Sequence, residues 1–180
     1  MQRRSLEDFN VDDPLMKKII CHDINKKRYE IDSSQLIYRP SVYGVLIEKG
    51  KVLLSKQYDG YDFPGGGAEL GETIHEVLER EFFEETGFRV EVNDPIHFET
   101  SFFHPSHSKK HKDEFWNCPL LYLAVTKTGG ELSTENFDEE EKEYASMVEW
   151  IDLSEIENIK FLNSVDSVGI IRKHRNFAKT

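Results

Sequence analysis

The chain has 180 residues, 38% of them hydrophobic, and a formal net charge of −11. That length holds one domain with a real core, and the charge excludes a nonspecific nucleic-acid coat, which needs a basic face. Two cysteines far apart, Cys21 and Cys118, give neither a disulfide framework nor a metal pair, and they fit a reducing cytoplasm.

"MQRRSLEDFN" lacks an apolar run, so neither a signal peptide nor a membrane anchor is expected, and no later stretch can span a bilayer. "KKIICHDINKKRYEI" reads as a hairpin turning near Asn25. It is expected to be a peripheral extension packed on the domain, with extension of the sheet or a homodimer contact as alternatives. "VYGVLI" (42–47) and "KVLLSKQY" (51–58) are apolar runs separated by Glu48-Lys49-Gly50, the pattern of a two-stranded hairpin. Gly65, Gly66 and Gly67 follow Pro64, so the chain turns there and its backbone can approach a ligand.

A helix is expected over about residues 74–86. Thr73 with Glu76 forms a capping box, and Gly87 is a left-handed stop. "RVEV" (89–92), "IHFETSFF" (96–103) and "FWNCPLLYLAV" (115–125) are further strands, with Pro119 marking a bulge or an edge. A last helix is expected over 163–174, capped by Asn163 and packing through Leu162, Val165, Val168 and Ile171. Strands interrupted by a long helix make a layered α/β arrangement. There is no internal repeat.

The helix poses an electrostatic problem. Ile74, Val77, Leu78 and Phe82 share one face, and Glu81 and Glu85 fall on it, with Glu84 at its edge. Glu72, Glu76 and Glu79 point elsewhere. Like charges at this spacing destabilise a helix, and partial burial costs more unless a cation compensates. Mg²⁺ fits, because it takes oxygen ligands and is held by one or two carboxylates plus substrate phosphates. The Gly65 carbonyl could add a ligand, and Arg80 can brace a carboxylate. The alternative is a plain solvated charged helix.

Spacing decides between these readings. Gly66, five residues, Glu72, seven residues, then "REFFEETGF" from Arg80 to Phe88 fills every fixed position of G-x5-E-x7-R-E-U-x-E-E-x-G-U, with U apolar. The stretch resembles the box of the Nudix hydrolase family, whose members hydrolyse nucleoside diphosphates linked to another moiety. "DFPGGG" and "VEWIDLSEI" extend the resemblance from about Arg39 to Ile156. It implies a Nudix-type α/β/α sandwich with a mixed β-sheet over residues 39–180, with residues 1–38 as an N-terminal extension. It assigns the metal to Glu81, Glu84 and Glu85, their orientation to Arg80 and support of the loop to Glu72. Mg²⁺ is the expected ion and Mn²⁺ its substitute. Val77, Leu78 and Phe83 depart from the usual box residues without removing a ligand.

Outside the box the indications are thinner. "HPSHSKKHKDEF" (104–115) could be a lid whose Lys109, Lys110 and Lys112 meet substrate phosphates, a solvated loop, or a zinc site at His104, His107 and His111. Tyr61 and Trp116 could stack on a base. Some family members draw a general base from the region of "ENFDEEEKEY" (135–144), which makes Glu143 the first candidate, with Glu139 to Glu141 behind it. A compact nucleotide substrate is favoured, a nucleoside triphosphate (oxidised or not) cleaved to monophosphate and pyrophosphate. ADP-ribose or a nucleotide sugar is the runner-up. A non-catalytic nucleotide-sensing or protein-binding module is the rival from another class, disfavoured because such modules tend to lose box glutamates.

Overall fold

A computed structural model describes residues 17–133 and 148–177, with side chains through Arg175. Its residues divide into two compact units. One is the chain up to Tyr38 together with Phe102–Asn117; the other is Arg39–Ser101 together with the chain from Cys118 onward.

In the first unit, β1 (Lys18–His22) and β2 (Arg28–Asp32) pair antiparallel. Asp23 builds the turn between them. Its Oδ1 accepts from the backbone N–H of Asn25 at 2.9 Å and of Lys27 at 3.0 Å, and its Oδ2 from the Tyr29 hydroxyl at 3.1 Å. An aspartate bonding its own backbone downstream is the usual chemistry of such a turn. Ile19, Cys21 and Ile31 form a small core with Tyr29, Leu36, Phe102 and Phe115. A short strand, β3 (Leu36–Tyr38), runs parallel to residues 115–117.

The second unit carries the glycine turn and the acidic helix. Here β4 (Ser41–Val45) pairs antiparallel with β8 (Gly65–Gly67) and parallel with residues 120–124 of β10 (Phe115–Gly130), so the sheet is mixed. On its other side β10 neighbours β9 (Phe88–Phe103). A smaller antiparallel sheet centres on β6 (Lys51–Gln57), which pairs with β5 (Ile47–Glu48), β7 (Gly60–Asp62) and β11 (Glu149–Asp152).

Helix α1 (Ile74–Thr86) lays Val77, Leu78 and Phe82, each 0% exposed, against Val42, Leu46, Leu53, Leu123 and Val125. The close approach depends on Gly44, where a Cβ would lie 2.7 Å from the Phe82 ring. Helix α2 (Ser167–Phe177) ends the described chain and buries Ile170 and Ile171. No helix among the described residues is long and apolar enough to cross a membrane.

Three expectations change. The strand expected over 42–47 is two pieces, because β4 pairs into the mixed sheet while β5 pairs with β6. The stretches 89–92 and 96–103 are one strand of 16 residues running through an exposed Pro95. The last helix begins at Ser167 rather than 163. Asp166 caps it, its Oδ1 accepting from the Gly169 N–H at 2.9 Å, while the Asn163 amide is committed to Asp62 at 2.6 Å. Pro119 falls between the stretch of β10 that pairs with β3 and the stretch that pairs with β4, where its missing N–H breaks neither ladder.

Candidate active site

Backbone geometry sets the approach to α1. Gly65 has φ +141°, and a Cβ there would lie 2.2 Å from the Val42 carbonyl oxygen. At Gly66 a Cβ would lie 2.5 Å from Glu81 Oε2, so glycine is what lets the turn pass beside that carboxylate. Thr73 and Glu76 cap the helix reciprocally, and Gly87 closes it with φ 74°. With both ends pinned, residues 80 to 85 are delivered at a fixed rotation to the glycine turn.

Arg80 gathers the acids. Its Nε and Nη2 donate to the two oxygens of Glu72 at 2.6 and 2.9 Å. Nη1 donates to Glu81 at 2.8 Å and to Glu84 at 3.1 Å, and Nη2 also reaches the Gly67 carbonyl at 3.3 Å. One guanidinium therefore clasps three carboxylates, the bidentate fork going to Glu72. Hydrogen bonding from Arg80, then from the Glu69 N–H, pulls the Glu72 carboxyl down to about 2. The same contact raises Arg80 further above its usual range.

Glu85 is held differently. It is 7% exposed, and its Oε2 accepts from the Ser55 hydroxyl at 2.5 Å. Ser55, on β6, was not among the residues singled out from sequence, although a lone serine closing the apolar run Val52-Leu53-Leu54 was a visible signal. Among the described residues, no three acids, histidines or cysteines already converge on one point as a metal cage. Arg80 holds Glu81 and Glu84, and Ser55 holds Glu85. The donors themselves are all oxygen, the set a hard divalent ion takes.

The mixed sheet's other face is aromatic. Tyr43 stacks on Tyr122 with centroids 5.2 Å apart, Phe63 meets Tyr122 edge-on at 5.5 Å, and Phe161 stacks on Phe63 at 6.0 Å. Asp62 lies here, its Oδ1 accepting from the Phe63 N–H at 2.7 Å and from Asn163 at 2.6 Å. Loss of solvent outweighs those bonds and pushes its carboxyl up to about 6. The Tyr43 hydroxyl is raised by burial first, then by the nearby Asp62, Cys118, Glu85 and Glu81. Tyr61 donates its hydroxyl to Glu149 at 2.8 Å, with Lys56 on the same carboxylate at 3.1 Å.

Lys109, Lys110, Lys112 and Trp116 belong to the first unit. The three lysines are exposed. The Trp116 indole donates to Glu114 at 2.6 Å, and its ring packs near Phe103 and His111. His104 is buried between Tyr29 and Phe115 with Nδ1 on the Glu114 carbonyl at 2.8 Å, whereas His111 faces the Glu114 carboxylate at 3.0 Å. His107 packs against Phe103. The three histidines thus have separate local roles. Glu143 and the whole run 135–144 lie outside the described residues.

Known proteins place this architecture. An ADP-ribose pyrophosphatase from Streptococcus suis superposes with a TM-score of 0.57 at 12% identity, over 79% of this chain and 92% of that one. A MutT protein from Methanosarcina mazei gives 0.53 at 21% identity, over 79% and 97%. Likeness at these identities establishes the fold, the Nudix-type α/β/α sandwich with a mixed sheet. A model of the NUDIX domain matches residues 37–169, and the chain belongs to that family. The RNA pyrophosphohydrolase of Actinobacillus succinogenes is 45% identical over 56 residues, 29% of this chain. That match spans only 28% of the relative's own length.

Proposed function

We propose that this protein hydrolyses the diphosphate linkage of a nucleotide, with a nucleoside triphosphate cleaved to monophosphate and pyrophosphate as the preferred reaction. The observation that carries the reading is the clasp: Arg80 bonded to Glu72, Glu81 and Glu84 beside a glycine turn, with Glu85 buried next to them. A solvated charged helix has no use for such an arrangement, which orders acids that repel one another.

Glu81, Glu84 and Glu85, with the Gly65 carbonyl, would hold Mg²⁺, or Mn²⁺ in its place. When bound, the ion supplies charge neutralisation for a diphosphate and Lewis acidity at phosphorus. The chain's own residues do the rest. Glu72 holds the guanidinium of Arg80, and Arg80 in turn holds Glu84 and Glu81, the latter beside Gly66. Glu143 is the candidate to take the proton of the attacking water. Positioning and electrostatics supply most of the acceleration in such chemistry. Tyr61 and Trp116 remain candidates for base stacking and the lysines for phosphate contacts. The two buried free thiols suit the cytoplasm.

A second reading is the triphosphate end of an RNA, favoured by what the Actinobacillus relative is named for. The test is a metal-dependent panel of nucleoside triphosphates, triphosphate-ended RNA, ADP-ribose and nucleotide sugars, run on wild type and Glu85→Gln with products identified by chromatography. Monophosphate plus pyrophosphate from free triphosphates is expected, with Glu85→Gln at least about tenfold slower. Turnover of ADP-ribose to AMP with triphosphates untouched would replace the preferred substrate. Silence across the panel would favour a non-catalytic binding module.

A further inference from the structure

We propose that Ser55 is a positioning residue whose hydroxyl fixes Glu85 as an oxygen donor for a divalent cation. The inference rests on the metal-site reading above and assigns to it a residue outside the box.

In β6, Val52, Leu53 and Leu54 are each 0% exposed, and the next residue, Ser55, is still only 4% exposed. A hydroxyl at that depth costs stability unless it is hydrogen-bonded, so an apolar residue would be the simpler choice for packing alone. The hydroxyl has a specific partner in Glu85 Oε2, at 2.5 Å. The hydroxyl donates to that oxygen and so sets the rotation of the carboxyl group.

Glu85 needs such a device more than its neighbours do. Of the three box acids it is the buried one, at 7% exposure. Glu81 and Glu84 are oriented by Arg80 through ion pairs of 2.8 and 3.1 Å. Ser55 orients the third acid from a different element, β6. Its position is fixed because β6 is paired through this stretch, Leu54 with Glu149 and Ser55 with Asp62. A ligand braced from a paired strand is held more closely than one braced from a loop. A hydroxyl is neutral, so it orients Glu85 without adding a charge that would compete with a cation. A lysine or arginine there would compete with the ion.

The experiment is Mn²⁺ binding to the folded full chain, followed by electron paramagnetic resonance, beside steady-state kinetics. Removing a group that orients a ligand typically weakens metal affinity about 10- to 100-fold, so Ser55→Ala should weaken Mn²⁺ by at least about tenfold. The same variant should lower kcat at limiting metal and leave the nucleotide KM near wild type at saturating metal. Ser55→Thr keeps the hydroxyl and suits a strand, so it should restore Mn²⁺ affinity. Ser55→Cys, close in size but a weak donor, should fall between, and it stands in if the alanine variant does not fold. A Ser55→Ala protein that melts earlier yet binds Mn²⁺ like wild type would overturn the proposal, leaving Ser55 a packing residue. Glu85→Gln in the same titration separates the two levels. If it loses Mn²⁺ while Ser55→Ala does not, only the role of Ser55 fails; if both bind as wild type, the metal reading at Glu85 fails as well.

Discussion

The acidic stretch from Glu69 to Glu85 and the basic stretch from His104 to Phe115 look alike as strings, since each gathers several charges of one sign near a turn. In the structure they are built on different logic. The acids are tied to a charged partner that would have no other reason to be there, with Arg80 spanning Glu72, Glu81 and Glu84 and the backbone of Gly66 passing beside Glu81. The basic stretch is tied by its histidines, Ser108 and Glu114: the His111 N–H reaches Ser108 at 3.1 Å, and His104 and His111 both meet Glu114. Its three lysines are exposed. Charge that the fold has spent structure on is a better sign of chemistry than charge alone.

The largest effect expected from this contrast is at Arg80. Arg80→Ala leaves three neighbouring carboxylates without their cation, two of them on the helix. Breaking a buried ion pair costs about 3–5 kcal/mol; with Arg80 27% exposed, about 2 kcal/mol is expected here. Activity should fall by about 100-fold, because the acids lose their orientation. Urea unfolding and initial rates at saturating Mg²⁺ measure the two. A variant with wild-type rates would show that the clasp serves stability alone and would remove the contrast with the basic stretch.

Saturating metal should return part of the lost stability, since a divalent ion replaces the missing positive charge.

Much of this was legible in the sequence because box geometry is local. Thr73, Glu76 and Gly87 fix the ends of α1 through contacts within a few positions, so the rotation of Glu81 and Glu85 followed from counting. What was missed depended on partners far along the chain. Asn163 has the local look of a helix cap, but its amide bonds Asp62, 101 positions away, and Asp166 takes the capping position. Ser55 meets Glu85 across 30 positions. The break after Val45 follows from which strands pair on either side of it, and no local pattern records that. The Tyr61 hydroxyl meets Glu149 across 88 positions.

A smaller effect separates two carboxylates by pH. Glu72 is pulled from 4.5 to about 2 by Arg80, so folding gains from it above pH 4.5 and loses that gain as pH falls toward 2. Asp62 is raised from 3.8 to about 6, which has the opposite sign. Its charge opposes folding above pH 6, and the penalty disappears as pH falls toward 3.8. Glu72→Gln should therefore differ most from wild type at neutral pH and converge with it in acid below pH 4.5. The difference between Asp62→Asn and wild type should shrink earlier, between pH 6 and 3.8. Melting curves at pH 7, 5 and 3 check both, and a gap that does not change with pH for either variant would show that its carboxyl is not perturbed as described.

The smallest effect belongs to the basic stretch, and it decides whether those lysines act at all. The chain carries a net charge of −11, so a phosphorylated substrate approaches against repulsion. Exposed positive groups can offset this without any fixed contact, by raising the local concentration of an anion. Replacing Lys109, Lys110 and Lys112 with Ala should then raise KM for a nucleoside triphosphate by a few-fold at low salt, with kcat unchanged. Screening acts over about 8–10 Å at ordinary ionic strength, so the gap between mutant and wild type should close as salt rises. A direct phosphate contact would behave differently, because a bond made in the bound state survives moderate salt and its loss persists. Three outcomes thus separate three roles. A gap that closes with salt marks steering, a gap that persists marks contact, and equal KM values at low salt leave the lysines as solvated charge, the role their exposure alone would give them.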